Sequence, residues 1–234
     1  MKLAETVRWF EVRKIRLTAS RFGLISNREK ALLSPVFVDQ NIPIWVMCVQ
    51  LNLEEQMKIR QNIEYAGYMK NTNRACKMYE SDCVINPNCT WLAASPDGIV
   101  VQEDVEYWLV EVKCSYHKCN VSPRESWKDS TFFCQEVNDN VFLKYNRDSY
   151  SLVQGQLCVS GATYCDFVLY TNKGFSIERI TFDVVFWGTL TEKFKWVFFF
   201  QITLCQWWKP SSDRNVLYVK CLHWFYCWYY TVKI

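Results

Sequence analysis

The chain has 234 residues, 50% of them hydrophobic, and 27 basic against 24 acidic residues leave a formal net charge of +3. That length suits one domain with a sizeable core and room for an appendage, and the hydrophobic share with only seven glycines excludes a disordered chain. So small a net charge also excludes nucleic-acid binding through a global positive field, so any such surface must be a local patch.

One patch lies at the start: Lys2, Arg8, Arg13, Lys14, Arg16, Arg21, Arg28 and Lys30 face only Glu5, Glu11 and Glu29. By charge alone a solvated helix face accounts for it equally well. Twelve cysteines follow an N-terminus that is charged and has no apolar run before Arg8, which predicts no signal peptide. The thiols are therefore expected free, in an intracellular, reducing compartment, cytoplasm or nucleus, rather than in a disulfide framework.

Leu3 to Lys14 has apolar residues at 3, 7 and 10, a helical interval. In LTASRFGLI, Thr18 or Ser20 can cap a second short helix and place Arg21 near its first turn, where free N–H groups and a guanidinium suit a phosphate. A surface arginine beside a buried Phe22 is the plain alternative. Leu33 to Pro43 reads as a connection, and Ile44 to Tyr65 as a long helix. Lys77 to Ile85 is expected as a strand, Asn86-Pro87-Asn88 as a turn, and Trp91 to Ala94 as the lead into the next stretch.

That stretch, SPDGIVVQEDVEYWLVEVKC from Ser95 to Cys114, reads as a β-hairpin: Gly98 to Val101 and Trp108 to Val112 are apolar, with polar residues between. Asp97 stands at the mouth of the first strand. Glu111 and Lys113 are two apart in the second and share a face. Charges among Ile99, Val100, Leu109, Val110 and Val112 lie too deep for a solvated face and call for a metal or a partner.

Ser122 to Glu136 can hold a helix capped by Ser122 with Pro123 at its first position, and Asp148 to Ser160 another. Tyr164 to Thr171 and Phe175 to Phe182 are apolar strands about Asn172-Lys173-Gly174, a hairpin signature. Asp183 to Leu204 is an amphipathic helix candidate rich in Phe and Trp. The final aromatic run, Val216 to Val232, is interrupted by Lys220 and His223, and its 17 residues fall short of a membrane span.

Pro96-Asp97 followed by Glu111-Val112-Lys113 resembles the PD-(D/E)XK nuclease motif. The phrases LTASRFG (Leu17 to Gly23), WLAASPDGIV (Trp91 to Val100), LVEVKC (Leu109 to Cys114) and YSLVQGQLCVSGATYCDFVLYT (Tyr150 to Thr171) come in the order of the YqaJ viral-recombinase family, relatives of phage lambda exonuclease. The resemblance covers Val7 to Leu204, most of the chain, and implies a domain over residues 1–206 with 207–234 as an aromatic-rich tail. It implies an α/β fold with a restriction-endonuclease-like core, a mixed central sheet flanked by helices.

It also implies a Mg2+-dependent deoxyribonuclease, with Mn2+ as an alternative ion, acting as a 5′-to-3′ exonuclease on ends of double-stranded DNA in recombination. The implied catalytic residues are Asp97, Glu111 and Lys113, and the metal ligands Asp97, Glu111, the Val112 carbonyl and a helix glutamate, for which Glu55 is the first choice and Glu54 the second. Arg21 and Ser20 of the TASR phrase and Gln154 are the implied DNA contacts. Here the chain departs from the family: the first glutamine of its Gln-rich helix phrase is replaced by Leu152, which has no group to bind a phosphate, while Gln154 and Gln156 remain. A homo-oligomeric ring, a trimer by resemblance, and a recombination partner protein are further implied, with no membrane. A structure-selective endonuclease and a DNA-binding protein weakened in catalysis are the competing readings.

Overall fold

The computed structural model describes residues 16–26, 64–72, 76–102, 106–114, 118–126, 128–129, 131–137 and 140–198. The chain divides into two compact units, Met1–Phe198 and Phe199–Ile234, and every described residue belongs to the first. The helix expected at Leu3 to Lys14, the connection at Leu33 to Pro43, Glu54, Glu55 and the aromatic tail lie outside the described residues.

The expected hairpin forms the middle of the fold. Strands β5 (Gly98–Gln102) and β6 (Glu106–Cys114) pair antiparallel, Gly98 opposite Val110. On its other side β6 pairs in parallel with β9 (Tyr164–Thr171), which turns back antiparallel into β10 (Gly174–Thr181). With β2 (Cys76–Tyr79) on the outside of β5, the sheet order is β10-β9-β6-β5-β2, mixed and centred on β6. From Trp108 to Val112 β6 is buried on both faces, which is why that run, Glu111 apart, is apolar without alternation.

The faces differ in what covers them. Trp108, Val110 and Val112 pack with Tyr65 and Met69 of a helix, α2, described over 64–71. Leu109 packs with Val153 and Leu157 of helix α4 (Asp148–Ser160) and with Phe167 and Leu169 of β9. Helix α4 ends where the sequence placed it, because Gly161 adopts a left-handed φ of 73° and its N–H returns to the Leu157 carbonyl at 2.9 Å.

A second sheet, β1-β4-β3, comprises Leu17–Thr18, Cys89–Ala94 and Val84–Asn86. The single strand expected over Lys77 to Ile85 is thus two, β2 and β3, in different sheets, since the polar residues Glu80, Ser81 and Asp82 interrupt it. Likewise the helix expected from Ser122 stops after one turn, α3 (Pro123–Ser126), although Ser122 caps it as expected, in a reciprocal capping box with Glu125. An Asp129 turn, in which the carboxylate accepts from the Thr131 N–H and hydroxyl, breaks the segment, and a small hairpin, β7 (Cys134–Val137) and β8 (Asn140–Leu143), follows.

Helix α5 (Val184–Val197) starts where Asp183 accepts from the Phe186 N–H at 2.9 Å. Between them α5 and α4 enclose the short helix α1 (Phe22–Ser26): the Phe22 ring stacks on Phe194 at 4.5 Å and lies 5.7 Å from Trp187. None of the described cysteines is in a disulfide. Among the described residues no helix is long and apolar enough to cross a membrane.

Candidate active site

Asp97, Glu111 and Lys113 meet at the C-terminal end of β6. Asp97 precedes β5, in line with it but past the last ladder pair at Gly98, and its carboxylate replaces the missing strand: Oδ2 accepts from the Val112 N–H at 2.8 Å. Glu111 and Lys113, on one face of β6, are joined by a 2.6 Å contact from Nζ to Oε1. The second carboxylate oxygen of Glu111 accepts from Gln156 Nε2 at 2.7 Å, across from α4.

Glu111 is only 3% exposed. Burial first, and then the negative charge of Asp97, holds its carboxyl above the usual carboxylate range, while Lys113 and Gln156 oppose that rise. Lys113 reaches outward, about one third of its side chain in solvent. The site therefore has a buried anionic floor and a cationic group at its mouth.

The phrase LTASRFG is tied by strand pairing to β4, the strand that leads toward Asp97. Leu17 pairs with Leu92 and Thr18 with Ala93, in parallel, so Ala19 to Arg21 continue in the same direction as the chain that leads from Ala94 to Asp97. Ser20 and Arg21 are exposed there, in a 3-10 turn that precedes α1. The expected side-chain cap is not made: the Thr18 hydroxyl is 3.1 Å from that of Ser20 instead.

Gln154 occupies a different place from the one expected of a DNA contact. It is fully buried, its Nε2 donating to the Thr181 carbonyl at 2.9 Å and its Oε1 accepting from the Asp183 N–H at 2.8 Å. Both amide groups are engaged in holding the end of β10 and the start of α5. Its neighbour two positions on, Gln156, is the glutamine that meets the acidic pair, on the opposite side of the helix. Leu152 is half-buried on the same helix.

Among the described residues no three of His, Cys, Asp and Glu gather as a metal cluster. The groups present nevertheless suit a hard divalent cation: two carboxylates, with the charge of Asp97 raising the cost of ionising Glu111, and a Gln156 Oε1 that is buried and without a hydrogen-bond partner in the fold. Magnesium takes one or two carboxylates and completes its shell with water and substrate phosphate, which such a donor set allows.

The fold is a mixed α/β one with a carboxylate pair and an amine at the end of its central strand, and the sequence matches the YqaJ-like viral recombinase domain over residues 8–163. The chain belongs to that family. In fold it is similar to the alkaline exonuclease LHK-Exo from Laribacter hongkongensis, at a TM-score of 0.53 and 18% identity over 86% of this chain and 96% of that one. It is also similar to LHK-Exo in complex with dAMP, at a TM-score of 0.55 and 20% identity over 85% of this chain and 93% of that one. No curated protein matches the chain.

Proposed function

We propose that this chain is a metal-dependent deoxyribonuclease that hydrolyses phosphodiester bonds, acting as a 5′-to-3′ exonuclease on ends of duplex DNA in recombination. The observation that carries the reading is the convergence of Asp97, Glu111, Lys113 and Gln156 at one end of β6. Family membership and the likeness to an exonuclease that has been seen with dAMP support it.

When bound at Asp97 and Glu111, with the Val112 carbonyl and Glu55 as further ligands, Mg2+ or Mn2+ would neutralise phosphate charge and lower the pKa of a water molecule. The protein's own groups do the positioning. The Val112 N–H fixes the Asp97 carboxylate, and Gln156 fixes that of Glu111, so neither needs to reorganise as substrate arrives. Lys113, anchored by Glu111 yet open to solvent, is placed to orient the attacking water and to stabilise charge developing on the phosphate. Arg21 and Ser20 supply a phosphate contact beside this centre.

Digestion of end-labelled, 5′-phosphorylated linear duplex in Mg2+, compared with covalently closed circles, tests the proposal. Wild type should release mononucleotides from the linear 5′ end and spare the circle, and Asp97→Ala should lose at least ~100-fold in rate with its circular dichroism unchanged. Equal activity in the variant would remove the assignment, and equal attack on the circle would make the enzyme an endonuclease.

A further inference from the structure

Strands β3 and β4 form a hairpin whose closing pair, beyond a register shift between Ile85 and Asn86, is Asn86 and Cys89. Residues paired directly across two strands share a face, so the Cys89 side chain points where that of Asn86 points. Asn86 Nδ2 donates to the Cys158 carbonyl on α4 at 3.2 Å. The face carrying Cys89 is therefore the one that lies against Cys158. Both thiols are half-buried and free. Burial pushes the Cys158 thiol up to about 11, and the charge of Cys89 adds to the rise.

We infer that Cys89 and Cys158 form an oxidisable dithiol, which a small-molecule disulfide such as oxidised glutathione closes to a protein disulfide. The Cys89 sulfur, beside the exposed turn residues Pro87 and Asn88, attacks the glutathione disulfide as its thiolate, gives a mixed disulfide and releases one glutathione thiol. The Cys158 thiol loses its proton to solvent and displaces the second glutathione. Two S–H bonds are lost, one S–S bond forms, and one glutathione disulfide is reduced to two thiols. The bridge would join β4, the strand that leads into Asp97, to α4 at a position two residues from Gln156. This inference stands apart from the nuclease reading, since its test reads sulfur chemistry and no DNA.

The full chain is incubated with excess oxidised glutathione, the remaining thiols are alkylated, and the digest is mapped by mass spectrometry. The expected result is a peptide pair joined through Cys89 and Cys158, lighter by two hydrogen atoms than the reduced pair, and its absence from Cys89→Ser and Cys158→Ser. Wild-type mapping alone suffices if a serine variant fails to fold. A bridge between other cysteines, or glutathione left on Cys89 or Cys158 without a protein disulfide, overturns the inference.

Discussion

Helix α1 meets α4 through a glycine, and adding one methyl group there has a calculable result. A Cβ at position 155 would stand 2.1 Å from Cδ2 and 2.2 Å from Cε2 of Phe22, where ordinary contact begins at 3.4 Å. The ring has nowhere to go, being fully buried, stacked on Phe194 at 4.5 Å and close to Trp187. Its helix is held as well, by the Ser26–Ser151 hydroxyl contact at 3.0 Å and by Gly23 lying against the Asp148 backbone. Overpacking by so short an approach falls at the upper end of the usual range, about 2–3 kcal/mol, and better helix propensity of alanine offsets about 1 kcal/mol. Gly155→Ala should therefore lose about 1–2 kcal/mol in urea unfolding, a fall in Tm of roughly 2–4 °C per kcal/mol for a chain of this size. In a Phe22→Ala background the clash is gone and only the propensity remains, so the same substitution should stabilise by about 1 kcal/mol. A neutral or stabilising effect in wild type, or the same loss in both backgrounds, would refute the packing argument.

Three further outcomes follow from the same geometry. Gln156→Ala removes a donor from the ionised form of Glu111, so the Glu111 pKa should rise further and the acidic limb of the activity profile should move to higher pH; an unmoved limb would leave Gln156 with a packing role only. Burial raises the Glu178 carboxyl from 4.5 to about 7 even though it accepts from the Leu143 N–H. A raised carboxyl pKa gives stability that is full below the unfolded value and declines as pH rises through the folded one, so the Tm advantage of Glu178→Gln over wild type should grow between pH 4.5 and about 7 and then level off. Tyr65→Phe takes from the buried Trp108 N–H its 3.1 Å acceptor and from Asp166 a 2.7 Å donor, and should cost about 1–3 kcal/mol in chemical denaturation.

What the sequence made legible follows period and punctuation. The hairpin around Asp97 to Lys113 shows because an apolar run, a polar turn and a second run fix its two strands, and a spacing of two puts Glu111 and Lys113 on one side. Helix α4 shows both ends, Gly161 being a stop signal that the backbone uses. Gln154 and Gln156 defeat the same reading: two positions apart on a helix they face opposite ways, and only the packing of α4 on β6 decides which amide reaches Glu111. The pairing of Thr18 with Ala93 is a contact between distant segments that no local pattern encodes. The early end of the helix at Pro123 and the β7–β8 hairpin were hidden because mixed polar and aromatic residues there satisfy neither period.

The parallel pairing of β6 with β9 has a consequence for the order of events during synthesis. Glu111 and Lys113 leave the ribosome long before Gln156 and the strand that shields them. Until Tyr164–Thr171 has emerged, β6 lacks its parallel partner, the strand that pairs with it from Leu109 to Cys114. A nascent or truncated chain thus holds the acidic pair without the Gln156 contact and the neighbouring strand that order it in the finished sheet.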